Sequence, residues 1–528
     1  MRRKQVRVIG NCQAWAVASF YRDFVGAPNG EDVKVVDDLG LDAAALRVAV
    51  QDADVVIVQE RDFKHGLSKE ELGGNLDVFG FPLVMAGFMW PHANEPHINN
   101  VSEWPISDGP YPSQMGDSYL NRLISRGVSP EDALDQYLSL DIAKAAHIDR
   151  LMELYLDRQR QRDAAVGFNI APIIEAEFRT RKLFLTAEHP DAWLFGVIAK
   201  QLFESMNVPG DIISNALSTL TRSPFPPTEL ALHPGVIKHF GLTFADQDDT
   251  YRFAEEGRIT FSEYVLRYMR YESNPKLREA IYMAGKEDPS LTLQRLDQAL
   301  VGSPQSIRAH SSRAEMLRLL NRLTEAEAAY HEAILLDPDN ADLYVELARM
   351  LSRAGQCDRA EEFARIAIAK EPAHGGPYVM LAEALIYSGR IAEALEPGRR
   401  GIRLSPGDAH GHRMYAIALH ASGRLEEAEQ VVRQGLLIQP SSADHRNLLA
   451  ETLEGQERRS ESLEALEDAL ETGCKNDQTY SLLGNFLMRA GELDRAEQVF
   501  SEGADLYGHF RPDLRDCARQ VQQMRSMA

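Results

Sequence analysis

Val6-Arg7-Val8-Ile9-Gly10-Asn11-Cys12-Gln13 decides how the first half of this chain reads. The apolar run Val6 to Ile9 is strand-like, and the stretch from Ala14 to Phe24 is helix-like. A strand that enters a tight glycine turn and continues as a helix puts Cys12 at a helix N-terminus. Peptide dipoles there lower a thiol's pKa and favour the reactive thiolate.

Working outward, Val33-Lys34-Val35-Val36 reads as a second strand and Val55-Val56-Ile57-Val58 as a third. Leu83-Val84-Met85 reads as a fourth and Leu183-Phe184-Leu185 as a fifth. Helices are expected near residues 14–25 and 41–52. This βαβαβ order predicts an α/β fold with a mostly parallel sheet and flanking helices. From Ser129 to about Arg181 the pattern is helical, an insertion into the α/β core.

The second half is periodic. Pro304, Pro338, Pro372, Pro406 and Pro440 stand 34 residues apart, as do Gly355, Gly389 and Gly423, with Gly491 rejoining after Glu457. Ala326, Ala360, Ala394, Ala428 and Ala496 keep the interval, with Ser462 in the gap. This resembles the tetratricopeptide repeat, a helix-turn-helix unit of 34 residues that stacks into an all-α solenoid. Small residues at the Gly and Ala positions suit closely approaching helices, and each Pro ends a second helix. The expected organisation is an α/β domain over 1–273, a linker and partial repeat over 274–304, six repeats over 305–510 and a capping helix over 511–528. Asn274 to Glu287 reads as the linker itself.

The chain's 528 residues exceed a single core. The net charge of −22 argues against nucleic-acid or anionic-membrane binding. No apolar run is long enough for a signal peptide or a transmembrane segment. Cys12, Cys357, Cys474 and Cys517 are dispersed, so a disulfide framework or zinc site is not expected, and a cytoplasmic setting is. The histidines lack the spacing of a zinc helix, so no metal is expected. There is no P-loop, no GxGxxG after the first strand and no GxSxG elbow.

In open parallel sheets ligands bind at the carboxyl ends of the strands. Those ends hold Asn11-Cys12-Gln13, Asp37-Asp38, Gln59-Glu60-Arg61 and Thr186-Ala187-Glu188-His189-Pro190. Together they offer a thiol, an imidazole, amides, carboxylates and a guanidinium, enough for acyl chemistry. Cys12 is either a nucleophile or a small buried hydrophobe. Asn11 and Gln13 could donate to an oxyanion. His189 is either a general base or a helix-start residue. The loop Trp90 to His97 either lines a ligand pocket or lies on the surface, and His233-Pro234 sits in another loop-like region.

A strand ending in Gly10-Asn11-Cys12-Gln13 resembles the WcbI-type capsule polysaccharide biosynthesis proteins, regarded as acetyltransferases. The resemblance runs on through Gln59-Glu60-Arg61-Asp62, Tyr111-Pro112 to Gly116-Asp117-Ser118, Thr186 to Pro190, and His233-Pro234 to Gly241-Leu242. It implies coenzyme A or acetyl-CoA as co-substrate, a surface glycan or its precursor as acceptor, and Cys12 and His189 as catalytic residues. Gly10, Asn11, Gln13, Gln59, Arg61, Thr186 and His233 would surround substrate and cofactor. A distant likeness to SGNH-type esterases places Gly10-Asn11-Cys12 where a nucleophile block stands. The stray strings Gly116-Asp117-Ser118 and Asp62-x-x-His65 do not complete a standard site of that kind. Two alternatives stand beside acetyl transfer. One is a thiol esterase. The other is an idle α/β domain whose repeats hold a protein or peptide on their concave face.

Overall fold

The structure is a computed structural model that describes residues 2–37, 43–60, 76–100, 115–225, 228–253, 257–272, 274–509 and 511–527. The chain divides into two compact units. One comprises Met1–Tyr21, Asp32–Met350 and Ala369–Ala373, and the other Arg22–Glu31, Leu351–Ile368 and His374–Ala528.

The first unit holds a parallel sheet of β1 (Gln5–Gly10), β2 (Asp32–Asp37), β3 (Val55–Glu60) and β4 (Asp77–Pro82), in the order β2-β1-β3-β4. Helix α1 (Cys12–Tyr21) follows β1 directly, and α2 (Ala43–Ala49) precedes β3. Leu46 and Val50 pack on Ile9 and Val56, covering one face of the central strands. The chain goes from β1 outward to β2, then crosses to the other side of β1 for β3. That reversal opens a crevice beyond the carboxyl ends of β1 and β3, which is where Asn11-Cys12-Gln13 and Gln59 lie.

Two strand expectations need correcting. The fourth strand is Asp77–Pro82, directly before the expected Leu83-Val84-Met85. Its Gly80 and Pro82 read as strand breakers. Among the described residues β4 pairs with β3 alone, and an outer strand tolerates a proline. Gly80 also admits Val166 of the helix Ile148–Val166, whose Cγ1 would lie 2.5 Å from a Cβ there. Leu183-Phe184-Leu185 is not a sheet strand. It makes a single antiparallel bridge, Phe184 with Pro190, closed by Leu185 N–H to His189 O and Asp191 N–H to Leu183 O at 2.8 Å each. Pro190 occupies the pair of the bridge that exchanges no hydrogen bond, so its missing N–H costs nothing there. Asp191 then caps the helix Ala192–Ser205, its carboxylate accepting from Leu194 N–H at 2.8 Å.

The helical insertion is present as Pro130–Leu138, Ile142–Ala145, Ile148–Val166 and Ala171–Glu177. A short hairpin, Thr250–Phe253 with Gly257–Thr260, was not anticipated. The stretch read as a linker contains the helix Pro275–Met283, capped by the Asn274 side chain. Asn followed by Pro at the first helical position is a helix-start signal.

Helix pairs from Ile307–Leu319 with Leu323–Leu336 through Asp477–Ala490 with Leu493–Tyr507 follow the 34-residue interval. The repeated alanines are fully buried as expected, and Ser462 is accommodated by donating to Ala450 O at 2.8 Å. The glycines have a different reason from close approach. Gly355, Gly389, Gly423 and Gly491 sit at φ +74° to +79°, and a Cβ on any of them would meet nothing within 4 Å. They supply the left-handed turn that ends each first helix. Asn321 and Glu457 fill the equivalent positions at φ 59° and 63°. The last helix, Pro512–Met527, buries Leu514 and Val521 against Leu483, Leu487 and Phe500.

Candidate functional site

The site is organised around a turn that only glycine can make. Gly10 has φ +147°, and a Cβ on it would lie 2.6 Å from Gln59 Oε1 and 2.9 Å from Ala14 Cβ. The space left free is filled by the Gln59 side chain, whose Oε1 accepts from Asn11 N–H at 3.0 Å. Asn11 caps α1, its Oδ1 accepting from Gln13 N–H at 3.0 Å. Cys12 is thus the first residue of α1, half-buried, at the positive end of the helix.

Gln13 makes a different contribution from the one expected. Its Nε2 donates to Val84 O at 2.7 Å and to Glu188 O at 2.6 Å. Its Oε1 accepts from Val84 N–H at 3.1 Å and from Gln59 Nε2 at 3.3 Å. Both amide protons are engaged by backbone carbonyls, so they are not donors for an oxyanion. The Gln13 amide instead fastens three segments together: the start of α1, the chain beyond β4, and the Thr186–Pro190 turn. Ala86 N–H to Ala187 O at 2.9 Å adds a direct link between the last two. Asn11 Nδ2 has no partner among the described residues, and it remains the side-chain amide able to meet a developing negative charge.

The clamp brings Cys12 and His189 into one neighbourhood, because each adjoins one end of the Gln13–Glu188 hydrogen bond. His189 is 7% exposed and stacks on Phe225 with ring centroids 4.7 Å apart and an interplanar angle of 13°. Burial pushes its pKa down to about 4, so the imidazole is neutral at pH 7 and able to take a proton. Among the described residues its ring nitrogens have no hydrogen-bond partner. Thr186 is fully buried, and its Oγ1 accepts from Glu188 N–H at 3.4 Å, which shapes the same turn.

His233 is placed elsewhere. It caps the helix Pro234–Phe240, with Nδ1 accepting from Gly235 N–H at 2.9 Å and Nε2 donating to Tyr137 O at 2.9 Å. Both ring nitrogens are used, and burial lowers its pKa. Arg61, Asp62, His65, Tyr111 and Pro112 lie outside the described residues. One cation that sequence reading missed is Arg162, whose guanidinium donates to Leu83 O at 3.3 Å, just beyond β4. It stands on the insertion helix, and nothing in its local sequence announces that position. No cluster of three His, Cys, Asp or Glu able to hold a metal occurs among the described residues, and none of their helices is long and apolar enough to cross a membrane. The four cysteines form no disulfide.

Comparison with known proteins places these features in families. Residues 5–211 match the family described as polysaccharide biosynthesis enzyme WcbI. Residues 317–375, 379–444 and 447–508 match the tetratricopeptide repeat. The chain therefore carries a WcbI domain followed by tetratricopeptide repeats. No curated protein matches it. Among solved structures, WcbI, described as a novel polysaccharide biosynthesis enzyme in its native form without a disulfide bond between coenzyme A and a cysteine, is 15% identical. That match covers 60% of this chain and 99% of WcbI, with a TM-score of 0.38. A tetratricopeptide repeat protein from Parabacteroides merdae is 14% identical over 47% of this chain and 97% of its own, with a TM-score of 0.40. A thermophilic repeat protein from Thermus thermophilus is 22% identical over 35% of this chain and 100% of its own, with a TM-score of 0.32.

Proposed function

We propose that the WcbI domain transfers an acyl group, acetyl in the simplest case, from coenzyme A to a hydroxyl of a surface glycan or its precursor. The observation that carries this is the Gln13 clamp. It holds a thiol at a helix N-terminus and a neutral, buried imidazole on adjoining segments at the reversal point of a parallel sheet. The family match supplies polysaccharide biosynthesis as the setting, and the WcbI resemblance supplies coenzyme A.

In this reading the thioester carbonyl lies beside Asn11 and Cys12. His189 takes the proton of the attacking sugar hydroxyl, whose oxygen bonds to the carbonyl carbon. The C–S bond breaks, and the coenzyme A sulfur leaves with the proton that His189 carries. The positive end of α1 and Asn11 Nδ2 meet the oxyanion. Cys12→Ser separates direct transfer from a covalent acyl-enzyme: retained turnover assigns Cys12 to shaping the pocket, and abolished turnover with retained binding assigns it the nucleophile's part. The repeats serve as a protein-binding module beside the enzyme domain.

Thermal unfolding of the full chain with acetyl-CoA, desulfo-CoA and ATP tests the reading. Stabilisation by both coenzyme A species beyond that by ATP is expected. No stabilisation by either would refute it. Turnover of p-nitrophenyl acetate without coenzyme A, lost in His189→Ala, would favour the esterase instead.

A further inference from the structure

A small polar cavity lies in the first unit, lined in part by Trp90 and His92. Its volume is about 20 Å³, and its polar lining comes from Trp90, His92, Asp117, Tyr137, His233 and Tyr264. That volume holds one oxygen atom with its hydrogens.

The hydrogen-bond account of this lining is nearly complete. Trp90 Nε1–H donates to Leu230 O at 3.0 Å. Asp117 Oδ1 accepts from Tyr119 N–H and Leu120 N–H at 2.8 and 2.9 Å, and its Oδ2 accepts from Tyr137 O–H at 2.6 Å. His233 uses both nitrogens. Tyr264 O–H donates to Met115 O at 3.2 Å. The exception is His92, whose Nε2 is buried with no hydrogen-bond partner among the described residues. A buried polar atom without a partner is costly and rare.

His92 is also held in place. Its carbonyl accepts from Ser118 N–H at 2.9 Å and Ser118 O–H at 3.2 Å. Its ring stacks on Tyr119 with centroids 5.7 Å apart. Burial lowers the pKa of the imidazole, so it is neutral and one nitrogen is an acceptor. With the ring proton on Nδ1, Nε2 is an acceptor without a donor, and an O–H completes it.

We propose that this cavity receives a hydroxyl group of the polyhydroxylated acceptor, with His92 Nε2 accepting its proton in a hydrogen bond. His92 stands in the loop that follows β4 and the short helical turn Gly87–Met89. The inference rests on the acyl-transfer reading for the identity of the acceptor, but it assigns a binding group that reading does not use.

The test is calorimetric titration of the full chain with glycerol and with the methyl glycosides of glucose, galactose, mannose and N-acetylglucosamine, alongside coenzyme A. The parent chain, His92→Gln and His92→Phe are compared. At least one polyol is expected to bind the parent, and His92→Phe is expected to weaken it about tenfold while coenzyme A affinity is unchanged. His92→Gln, which keeps an acceptor and less bulk, is expected to retain part of the affinity and guards against a folding defect in His92→Phe. Binding of none of these polyols, equal binding by all three chains, or an ordered water that stays on His92 Nε2 with polyol bound would overturn the proposal. Failure of coenzyme A to bind the parent would sink the acyl-transfer reading alone, because polyol binding is read independently.

Discussion

Replacing Gln13 by Leu should remove the fastening between the Cys12 and His189 segments without adding a charge. The substitution takes away four hydrogen bonds, those with Val84 N–H, Val84 O, Glu188 O and Gln59 Nε2. Gln13 is 3% exposed and Gln59 2%, so water cannot readily replace what is lost. At about 1 kcal/mol for each lost hydrogen bond, the penalty is about 4 kcal/mol. That is a large share of the roughly 5–15 kcal/mol that holds a domain folded. Gln13→Glu sharpens the argument. A carboxylate there can still accept from Val84 N–H and Gln59 Nε2, but it faces two carbonyl oxygens that need donors. Burial and those oxygens raise its folded-state pKa above the ordinary carboxyl value, and the protonated form recovers one donor. The Gln13→Glu deficit relative to the parent should therefore be greatest near pH 8 and shrink as pH falls toward about 5. Urea unfolding at both pH values measures it, with acetyl-CoA turnover followed in parallel. Equal stability of Gln13→Glu and the parent at pH 8, or a difference that does not change with pH, would refute the assignment of these four bonds.

Gly10→Ala should destabilise by about 2–3 kcal/mol and reduce turnover sharply, since the new methyl group collides with Gln59 and the backbone is held at φ +147°; unchanged stability in urea would contradict it. His189 titrates near 4 in the folded chain and near 6.5 when unfolded, so the unfolded chain takes up its proton first as pH falls. Native stability should drop by about 3 kcal/mol between pH 6.5 and 4 from this group, a drop that His189→Gln removes. The acid limb of kcat/KM for acetyl-CoA should correspondingly lie well below pH 6.5, and a limb at 6.5 would contradict a buried base. Glu457→Gly should stabilise the repeats by about 1 kcal/mol, since Glu457 occupies the left-handed position that glycine fills in neighbouring repeats; a lower midpoint in thermal unfolding would count against that reason. Arg252 donates to the Asp337 carboxylate from both Nε and Nη2 within the first unit, so Arg252→Ala should cost about 2 kcal/mol in the same urea assay.

The parts legible in the sequence are those whose causes are local. Val6 to Ile9, the glycine turn and the start of α1 follow from adjacent residues, and the repeats follow from an interval. The Asp191 cap and the final helix over the last repeat were readable for the same reason. β4 was displaced because Gly80 and Pro82 look like breakers until the strand is seen at the end of the order β2-β1-β3-β4 of the described strands. The fifth strand dissolved into a turn because its partner stretch passes at Asp191 straight into the helix Ala192–Ser205. Gln13 was seen as a residue of interest, but its part was not readable, since its partners are backbone groups 71 and 175 residues away. The same holds for Arg162 and for the orphaned nitrogen of His92, whose surroundings come from four separate stretches of chain.

The most direct test of the Cys12–His189 site is the rate of Cys12 alkylation by iodoacetamide in the full chain, resolved by peptide mapping, with and without coenzyme A. Cys357, Cys474 and Cys517 serve as internal controls. Coenzyme A at ten times its dissociation constant should slow labelling of Cys12 about tenfold and leave the other three unchanged. Equal labelling of Cys12 with and without coenzyme A would contradict a coenzyme A site at the start of α1.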